Sequence, residues 1–315
     1  MKSFSYLHEK FKKEKLIMVI SPACPLCGNH ESQARFSQRG YELRVCNHCE
    51  LLFIDPYPAG SDEVYERTSD YSRHEMASGH TIVDPKGYHQ ASVQVYKKYL
   101  PMVMKACEGA KSVLDVGCGS GYLLQQLGSN PALFRCGIEL NEDRAEMARN
   151  ISGCVIHQVP IEQFTSQEKF DVIIMMNVLS HIHSHDKLFS SLRSLLSDNG
   201  KLILKVGEFG KQPKRSDVRD WEIPDHLHFL GHNTINYICD KYDFRIDTHY
   251  RVPYYEDVFS RDQLMAPGRS QFRDMLKKVI VYTPFALSAL AKVYTATRGR
   301  NVSYSSFIVL SSYSP

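Results

Sequence analysis

The sequence lacks an uncharged apolar segment of eighteen residues, so we expect no membrane-spanning helix. Residues 1–15 are polar and rich in lysine and have no apolar signal core, which favours a cytoplasmic protein. We find no internal repeat or low-complexity segment. The net charge of +3 is too small to indicate a nucleic-acid partner by itself. A content of 43% hydrophobic and 23% charged residues is typical of a globular chain, and 315 residues provide ample length for a core.

Cysteine is present nine times, and four of these residues form two C-x2-C pairs, Cys24 with Cys27 and Cys46 with Cys49. This spacing is typical of a four-cysteine zinc site. Two disulfides and a rubredoxin-like iron site are the alternatives, and the absence of an export signal speaks against the disulfides. The intervening sequence alternates around Arg39 and Gly40 and predicts a hairpin.

A glycine-rich turn lies in KSVLDVGCGSGYLL, from Lys111 to Leu124. A short apolar run precedes the turn and a helical apolar pattern follows it, so a strand, a turn and a helix are expected in that order. The spacing is G-x-G-x-G behind an acid, and not the G-x-G-x-x-G of a dinucleotide site. A second acid, Glu139, follows the next predicted strand, where an acid can accept hydrogen bonds from ribose hydroxyls.

Three segments, DVGCGSG, GIELN and FDVIIMMNVLSHI, resemble motifs of the class I S-adenosyl-L-methionine (SAM) dependent methyltransferases. The cysteine-rich segment resembles the zinc ribbon that precedes many bacterial small-molecule methyltransferases. The resemblance implies an α/β fold, a Rossmann-like seven-stranded methyltransferase sheet preceded by a small zinc ribbon, with SAM and zinc as cofactors. The cofactor-binding residues that it implies are Asp115, Gly117, Gly119, Gly121, Glu139 and Asn177.

The chain is expected to divide into a zinc ribbon (1–60), a helical lead-in (61–110), a SAM-binding domain (111–255), a helical insertion (256–300) and a last strand (301–315). Strands and helices alternate from Val113 onward, which predicts a doubly wound parallel sheet. Ligands of such sheets bind at the carboxyl ends of the strands. The predicted elements are a helix over Tyr88–Cys107 broken at Pro101, a helix capped by Asn141, and strands at Cys154–His157, Val172–Met176, Lys201–Val206, Arg245–Tyr250 and Ser305–Ser311, with Gly207 at a strand end.

Three histidines are candidates for accepting a proton from the methyl acceptor. His226 is the first candidate because its loop is expected at the cleft mouth, and His228 and His181 follow. By the resemblance, Tyr71 and His89 could reach the cofactor.

We expect O- or C-methylation of a small-molecule or sugar-type acceptor, and a lipid-linked acceptor is a further candidate. The alternatives are a ribosomal RNA methyltransferase with a zinc ribbon and a non-catalytic SAM-binding protein. Balanced charge and the absence of an Asp/Asn-Pro-Pro-aromatic motif speak against the RNA enzyme, and the complete glycine motif with both acids speaks against the non-catalytic protein. Val279–Ala296 is apolar and flanked by cations, so it predicts a lid or homodimer helix or, alternatively, a peripheral membrane contact.

Overall fold

The computed structural model describes residues 22–58, 85–215, 223–253 and 302–312, with six isolated positions between 283 and 297. Within these residues the strands are β1 Ser32–Gln38, β2 Tyr41–Cys46, β3 Leu52–Asp55, β4 Ser112–Val116, β5 Phe134–Ile138, β6 Val155–His157, β7 Phe170–Met176, β8 Leu196–Phe209, β9 His228–Gly231, β10 Phe244–Pro253 and β11 Tyr304–Ser312. The helices are α1 Pro85–Tyr96, α2 Leu100–Ala106, α3 Tyr122–Leu127, α4 Glu142–Ser152, α5 His185–Leu195 and α6 Thr234–Tyr242, with a 3₁₀ helix at Leu179–His181.

Seven strands form the predicted α/β sheet, in the order β6-β5-β4-β7-β8-β11-β10. Strands β4 to β8 pair in parallel, while β11 runs antiparallel to both β8 and β10. Apolar residues that follow each other in sequence alternate between the two faces of the sheet. Leu114 packs in one core cluster and Val113 in the cluster on the other face. Both faces of the sheet are buried, which explains why the sequences of these strands are continuous apolar runs.

The cysteine-rich segment, residues 22–58, which we call the ribbon, extends this sheet. Strands β1, β2 and β3 form an antiparallel meander, and β3 pairs with β9, which in turn pairs with the end of β8. Glu208 of β8 lies opposite Leu230 of β9 and opposite Tyr304 of β11, so β9 and β11 pair with opposite edges of β8. The ribbon and the large sheet therefore share one hydrogen-bonded network.

The predicted hairpin turn of the ribbon is confirmed. Arg39 and Gly40 join β1 to β2 with φ of +49° and +83°. Two consecutive left-handed residues suit the twist of a two-residue hairpin. Glu50, beside the second cysteine pair, also has a positive φ of +62°.

Two local predictions need correction. The break in the lead-in helix lies at residues 97–99, and Pro101 stands in the first turn of α2, where its missing N–H costs no helical hydrogen bond. Gly207 does not end its strand, because β8 continues to Phe209 by pairing with β9.

Asn141 caps α4 as predicted, since its side chain accepts a hydrogen bond from the Arg144 N–H. No helix within the described residues combines the length and the hydropathy that crossing a bilayer requires. Tyr71 and almost all of the 256–300 insertion, with its Val279–Ala296 segment, lie outside the described residues.

Candidate active site

The glycine-rich turn after β4 has a backbone that only glycine adopts easily. Gly117, Gly119 and Gly121 have φ of +68°, +55° and +76°. A Cβ atom at Gly121 would lie 2.9 Å from the Cα and carbonyl oxygen of Ala148 in α4, and a Cβ at Gly119 would lie 2.9 Å from the Tyr88 hydroxyl. The glycines therefore allow α4 and α1 to approach the turn closely.

Glu139, directly after β5, holds the same turn from the neighbouring strand. One carboxylate oxygen accepts a hydrogen bond from the Gly119 N–H at 3.0 Å, and the other accepts from the Asn141 N–H at 3.0 Å. The side chain is 8% exposed. The second acid predicted from the sequence thus lies beside the glycine turn, where it can also meet the hydroxyls of a ribose.

Asp115 lines a small cavity next to this turn. Burial, helped by the negative charge of Glu139, raises the pKa of Asp115 from its usual range to about 8. A positively charged ligand would offset that cost by favouring the ionised carboxylate. Ser92, Tyr96, Asp115, Gly117, Cys118, Ser120, Tyr122, Leu123 and Met176 line the cavity.

Helix α1 contributes Ser92 and Tyr96 to the lining of the cavity. His89 Nδ1 lies 3.1 Å from Ser120 Oγ, so His89 contacts the predicted cofactor turn. The Tyr96 hydroxyl donates a hydrogen bond to the carbonyl oxygen of Met176 at 3.4 Å. The Arg144 guanidinium lies 4.7 Å from the centre of the Tyr88 ring. Helices α1 and α4 are thereby joined across the mouth of the glycine turn.

Two of the three predicted histidines, His181 and His226, meet around Asp225. His181 Nδ1 donates a hydrogen bond to the carbonyl oxygen of Asp225 at 2.9 Å and lies 3.6 Å from its Oδ1. His226 Nδ1 lies 3.9 Å from Asp225 Oδ2, and the two imidazole centres are 4.4 Å apart. The three side chains are 12–26% exposed, so the group, which we call the His–Asp–His cluster, reaches solvent.

The titration of the cluster is set by a balance between burial and charge. Burial opposes the charged form of His181, but the hydrogen bond and negative charge of Asp225 outweigh it and raise the pKa of His181. Burial also opposes ionised Asp225, yet the contacts with His181 leave the pKa of Asp225 lowered. The positive charge of Arg144 makes a smaller contribution to the pKa of both groups.

The third histidine lies in the interior. His228 is 1% exposed, and its Nε2 lies 3.1 Å from the Nε2 of buried His185. Its Nδ1 lies 3.4 Å from the Tyr57 hydroxyl, which donates a hydrogen bond to the carbonyl oxygen of His183. Burial lowers the pKa of His228 far below its usual value, so the imidazole is neutral at physiological pH.

Asn177 follows β7 with a left-handed φ of +62°. Its backbone N–H donates to the carbonyl oxygen of Lys205 at 2.8 Å, and its side-chain oxygen accepts a hydrogen bond from Lys205 Nζ at 2.9 Å. Asn177 therefore connects the end of β7 to Lys205 within β8, next to Met176 of the cavity.

The four ribbon cysteines converge on one point. Their sulfur atoms lie within 4.8 Å of one another, with 3.6 Å between Cys24 and Cys49 and 3.5 Å between Cys27 and Cys46. A disulfide needs about 2.05 Å, whereas sulfurs bound to one tetrahedral zinc at about 2.3 Å lie roughly 3.8 Å apart. Hydrogen bonds from Cys24 and Cys49 hold the pKa of Cys46 well below its usual range. The cluster thus has the donor set and the size of a four-thiolate metal centre.

Comparison with known proteins gives the following matches. Residues 88–249, just over half of the chain, match the family model described as a methyltransferase domain. The chain belongs to the methyltransferase domain family. The strand order and the SAM motifs place it in the class I SAM-dependent branch.

Two ubiquinone biosynthesis O-methyltransferases are among the relatives of this methyltransferase chain. The protein of Histophilus somni is 33% identical over 136 residues, which cover 39% of this chain and 57% of that protein. The protein of Pasteurella multocida is 30% identical over 141 residues, which cover 39% and 58%. The chain spans about half the length of the relatives it matches.

Among solved structures, the chain matches the O-methyltransferase of a trans-AT PKS multienzyme from Brevibacillus brevis, in complex with S-adenosyl-L-homocysteine (SAH). It is 18% identical, with a TM-score of 0.48, and the match covers 73% of this chain and 77% of that one.

Several residues around the methyltransferase cleft escaped the sequence analysis. Asp225, Arg144, Tyr88 and Lys205 carry no motif that marks them, since each is a common polar or aromatic residue within an ordinary element. One signal was available for Asp225, because it immediately precedes His226. Their roles depend on contacts between α1, α4, β8 and the segment before β9, which only the folded chain provides.

Proposed function

We propose that this protein transfers the methyl group of SAM to a hydroxyl oxygen of a small-molecule acceptor. The observation that carries this proposal is the pair of buried acids, Asp115 and Glu139, on either side of the three-glycine turn at the carboxyl ends of β4 and β5. A cationic ligand with a ribose fits these groups, since Asp115 favours a positive charge and Glu139 can accept hydroxyl hydrogen bonds. The O-methyltransferase names of the relatives support oxygen as the methylated atom.

When bound, SAM supplies an activated methyl group on a sulfonium. The protein holds the acceptor in line, excludes water and removes the acceptor proton. We assign proton removal to the His–Asp–His cluster, with His226 first and His181 second. Asp225 orients His181 by accepting the Nδ1–H, which leaves His181 Nε2 as the nitrogen of that ring not engaged by Asp225. His228 is buried and neutral, so we rank it third among the candidate proton acceptors.

We further propose that Cys24, Cys27, Cys46 and Cys49 bind one zinc ion. Four thiolates would close the tetrahedral site, so the metal would support folding and not the reaction. The sugar-type or lipid-linked acceptor, the membrane contact, the homodimer and the domain boundaries stay predictions.

Calorimetry with SAH tests the cofactor site directly. Glu139→Ala should weaken SAH binding at least about tenfold. The variant cannot accept hydrogen bonds from the ribose hydroxyls, and it also loses the hydrogen bond from the Gly119 N–H that holds the glycine turn. Glu146→Ala is the matched control, since Glu146 is exposed on α4. Formation of SAH from SAM with hydroxyl but not amine acceptors would support O-methylation. Equal SAH affinity in wild type and Glu139→Ala would contradict the assigned site.

A further inference from the structure

Tyr57, near the end of the ribbon, contacts both of the segments that form the His–Asp–His cluster. One segment is 179–185, which contains His181, and the other is 225–228, which contains Asp225 and His226. The Tyr57 ring packs against both apolar clusters to which ribbon residues belong. The function proposed above gives the ribbon no part in the reaction, although the ribbon reaches the proposed catalytic histidines through this residue.

The Tyr57 hydroxyl makes one hydrogen bond to each segment. It donates to the carbonyl oxygen of His183 at 3.1 Å. A hydroxyl has a single proton to give, so in the second contact, of 3.4 Å, the Nδ1–H of His228 donates to the hydroxyl oxygen. A neutral imidazole has one N–H to supply, which agrees with the lowered pKa of buried His228. The hydroxyl therefore binds both segments at the same time.

Further backbone and side-chain bonds connect the ribbon to these segments. His183 Nε2 donates to the carbonyl oxygen of Pro58 at 2.8 Å. The Ile54 N–H donates to the carbonyl oxygen of Leu227 at 3.0 Å. The Leu227 N–H in turn donates to the carbonyl oxygen of Ser180 at 2.8 Å. The ribbon and the two segments thus form one hydrogen-bonded unit.

The contact between His181 and Asp225 crosses from one segment to the other. His181 is two residues from His183, and Asp225 is three residues from His228. Hydrogen bonds weaken steeply as distance and angle depart from the optimum, so the spacing of the segments decides how well Asp225 orients the His181 ring. The charged or titratable groups that act on His181 are Asp225, His226, Arg144 of α4 and buried His228 of β9. Among these four groups Asp225 alone is negative.

We propose that Tyr57 is a positioning residue for the reaction, because its hydroxyl holds the two segments at the spacing at which His181 meets Asp225. This inference rests on the proposed O-methylation, in which His226 and His181 are assigned to remove the acceptor proton. Tyr57 acts through the two segments and is assigned no contact with the reacting atoms. The ribbon thereby supplies part of the catalytic geometry.

Tyr57→Phe tests the inference, since it removes the hydroxyl and keeps the ring. Turnover should fall about tenfold, while the KM for SAM and the affinity for SAH stay within about twofold of wild type. The pKa of His181 should fall toward the ordinary value of a histidine, because the contact with Asp225 holds it raised. NMR of protein labelled with ¹³C-histidine measures this pKa without turnover, and the His181 signal is the one that His181→Gln lacks.

Tyr237→Phe is the matched control. Tyr237 of α6 packs edge-on against His48 of the ribbon, with ring centres 5.4 Å apart, so this variant also removes one hydroxyl from a ring that packs across the ribbon contact. It should leave turnover and the pKa of His181 unchanged.

An unchanged pKa of His181 in Tyr57→Phe, or an equal fall in Tyr237→Phe, would overturn the inference. Failure of the proposed function is detected separately, as wild-type protein that forms no SAH from SAM with hydroxyl acceptors. The NMR titration would then still decide whether Tyr57 sets the contact between His181 and Asp225.

Discussion

Asp115 is a residue whose chemistry depends on the fold. Its burial raises the pKa to about 8, so the carboxyl is largely protonated at neutral pH before a ligand binds. A cationic cofactor binds the ionised form better, and its binding must therefore be coupled to the loss of a proton.

The affinity for SAM should rise as pH increases from about 6.5 to 9 in wild type, because Asp115 ionises through about pH 8. Asp115→Asn should bind SAM more weakly, and its affinity should lack this rise. Calorimetry in two buffers of different ionisation enthalpy would also detect proton release on binding. A wild-type affinity that is flat across this range would contradict the assignment of Asp115 to the cation.

The same shift affects stability in the absence of ligand. A carboxyl with a raised folded pKa binds more protons in the folded than in the unfolded state, so its contribution to stability is lost as pH rises from about 4 to about 8. Asp115→Asn should therefore be more stable than wild type at pH 8.5 and nearly equal at pH 4. Urea denaturation at both pH values measures the difference.

His226→Ala should lower turnover by about 10²–10⁴-fold and leave SAH affinity nearly unchanged, because His226 is assigned to the acceptor and not to the cofactor. His30→Ala, an exposed position in the ribbon, is the control. The pH–rate profile is the measurement, with SAH formation as the signal. A profile like that of wild type from pH 6 to 9 would return His226 to a structural role and leave His181 as the next candidate.

At the scale of elements, the ribbon packs closely against β9, a contact that sequence patterns did not predict. A Cβ atom at Gly231, the last residue of β9, would overlap the carbonyl oxygen of Glu50. Next to it, the Thr234 hydroxyl donates a hydrogen bond to the carbonyl oxygen of Cys49. The second cysteine pair is thus fixed against the start of α6.

Gly231→Ala should destabilise the protein by about 1–3 kcal/mol, because the backbone of Glu50 must move to admit the methyl group. Gly207→Ala is a matched control in the same sheet, since its Cβ would meet its nearest neighbour, Phe229, at an ordinary 3.4 Å. Chemical denaturation of both variants measures the difference. Equal stability of the two variants would show that the ribbon is not held closely against β9.

At the scale of the whole molecule, the ribbon and the large sheet share one hydrophobic core. Buried Cys24, Cys46 and Cys49 belong to the same apolar cluster as Leu114 of β4 and Ile173 of β7. Lys241 of α6 also donates a hydrogen bond to the carbonyl oxygen of Leu26, within the first cysteine pair. Changes at the four-cysteine cluster should therefore be felt in the core of the large sheet.

Elemental analysis should find one zinc per chain, and removal of zinc by a chelator should lower the melting temperature of the whole protein in one transition. Cys46→Ser should behave like the chelated protein, and Cys154→Ser, outside the ribbon, should retain the metal. Calorimetry with and without zinc measures the effect. Two separate transitions, in which the melting temperature of the large sheet does not change on removal of zinc, would show that the ribbon folds independently.

The sequence by itself determined the fold class, the glycine turn, the two acids next to that turn and the four-cysteine cluster. These features are local, since apolar periodicity, glycine at positive φ and cysteine spacing each act within a few residues or one strand–turn–helix unit. The predicted strands and the Asn141 cap were found for the same reason.

Only the tertiary structure decided which polar residues meet. His181 and His226 are 45 positions apart and come together because the segment before β9 returns beside the 3₁₀ helix, where the Leu227 N–H donates to the carbonyl oxygen of Ser180. His228 has the same side chain but lies on the strand that joins the ribbon to the sheet, so it is buried. Such placements depend on long-range strand pairing and packing, which cannot be recognised from residue types and their local spacing.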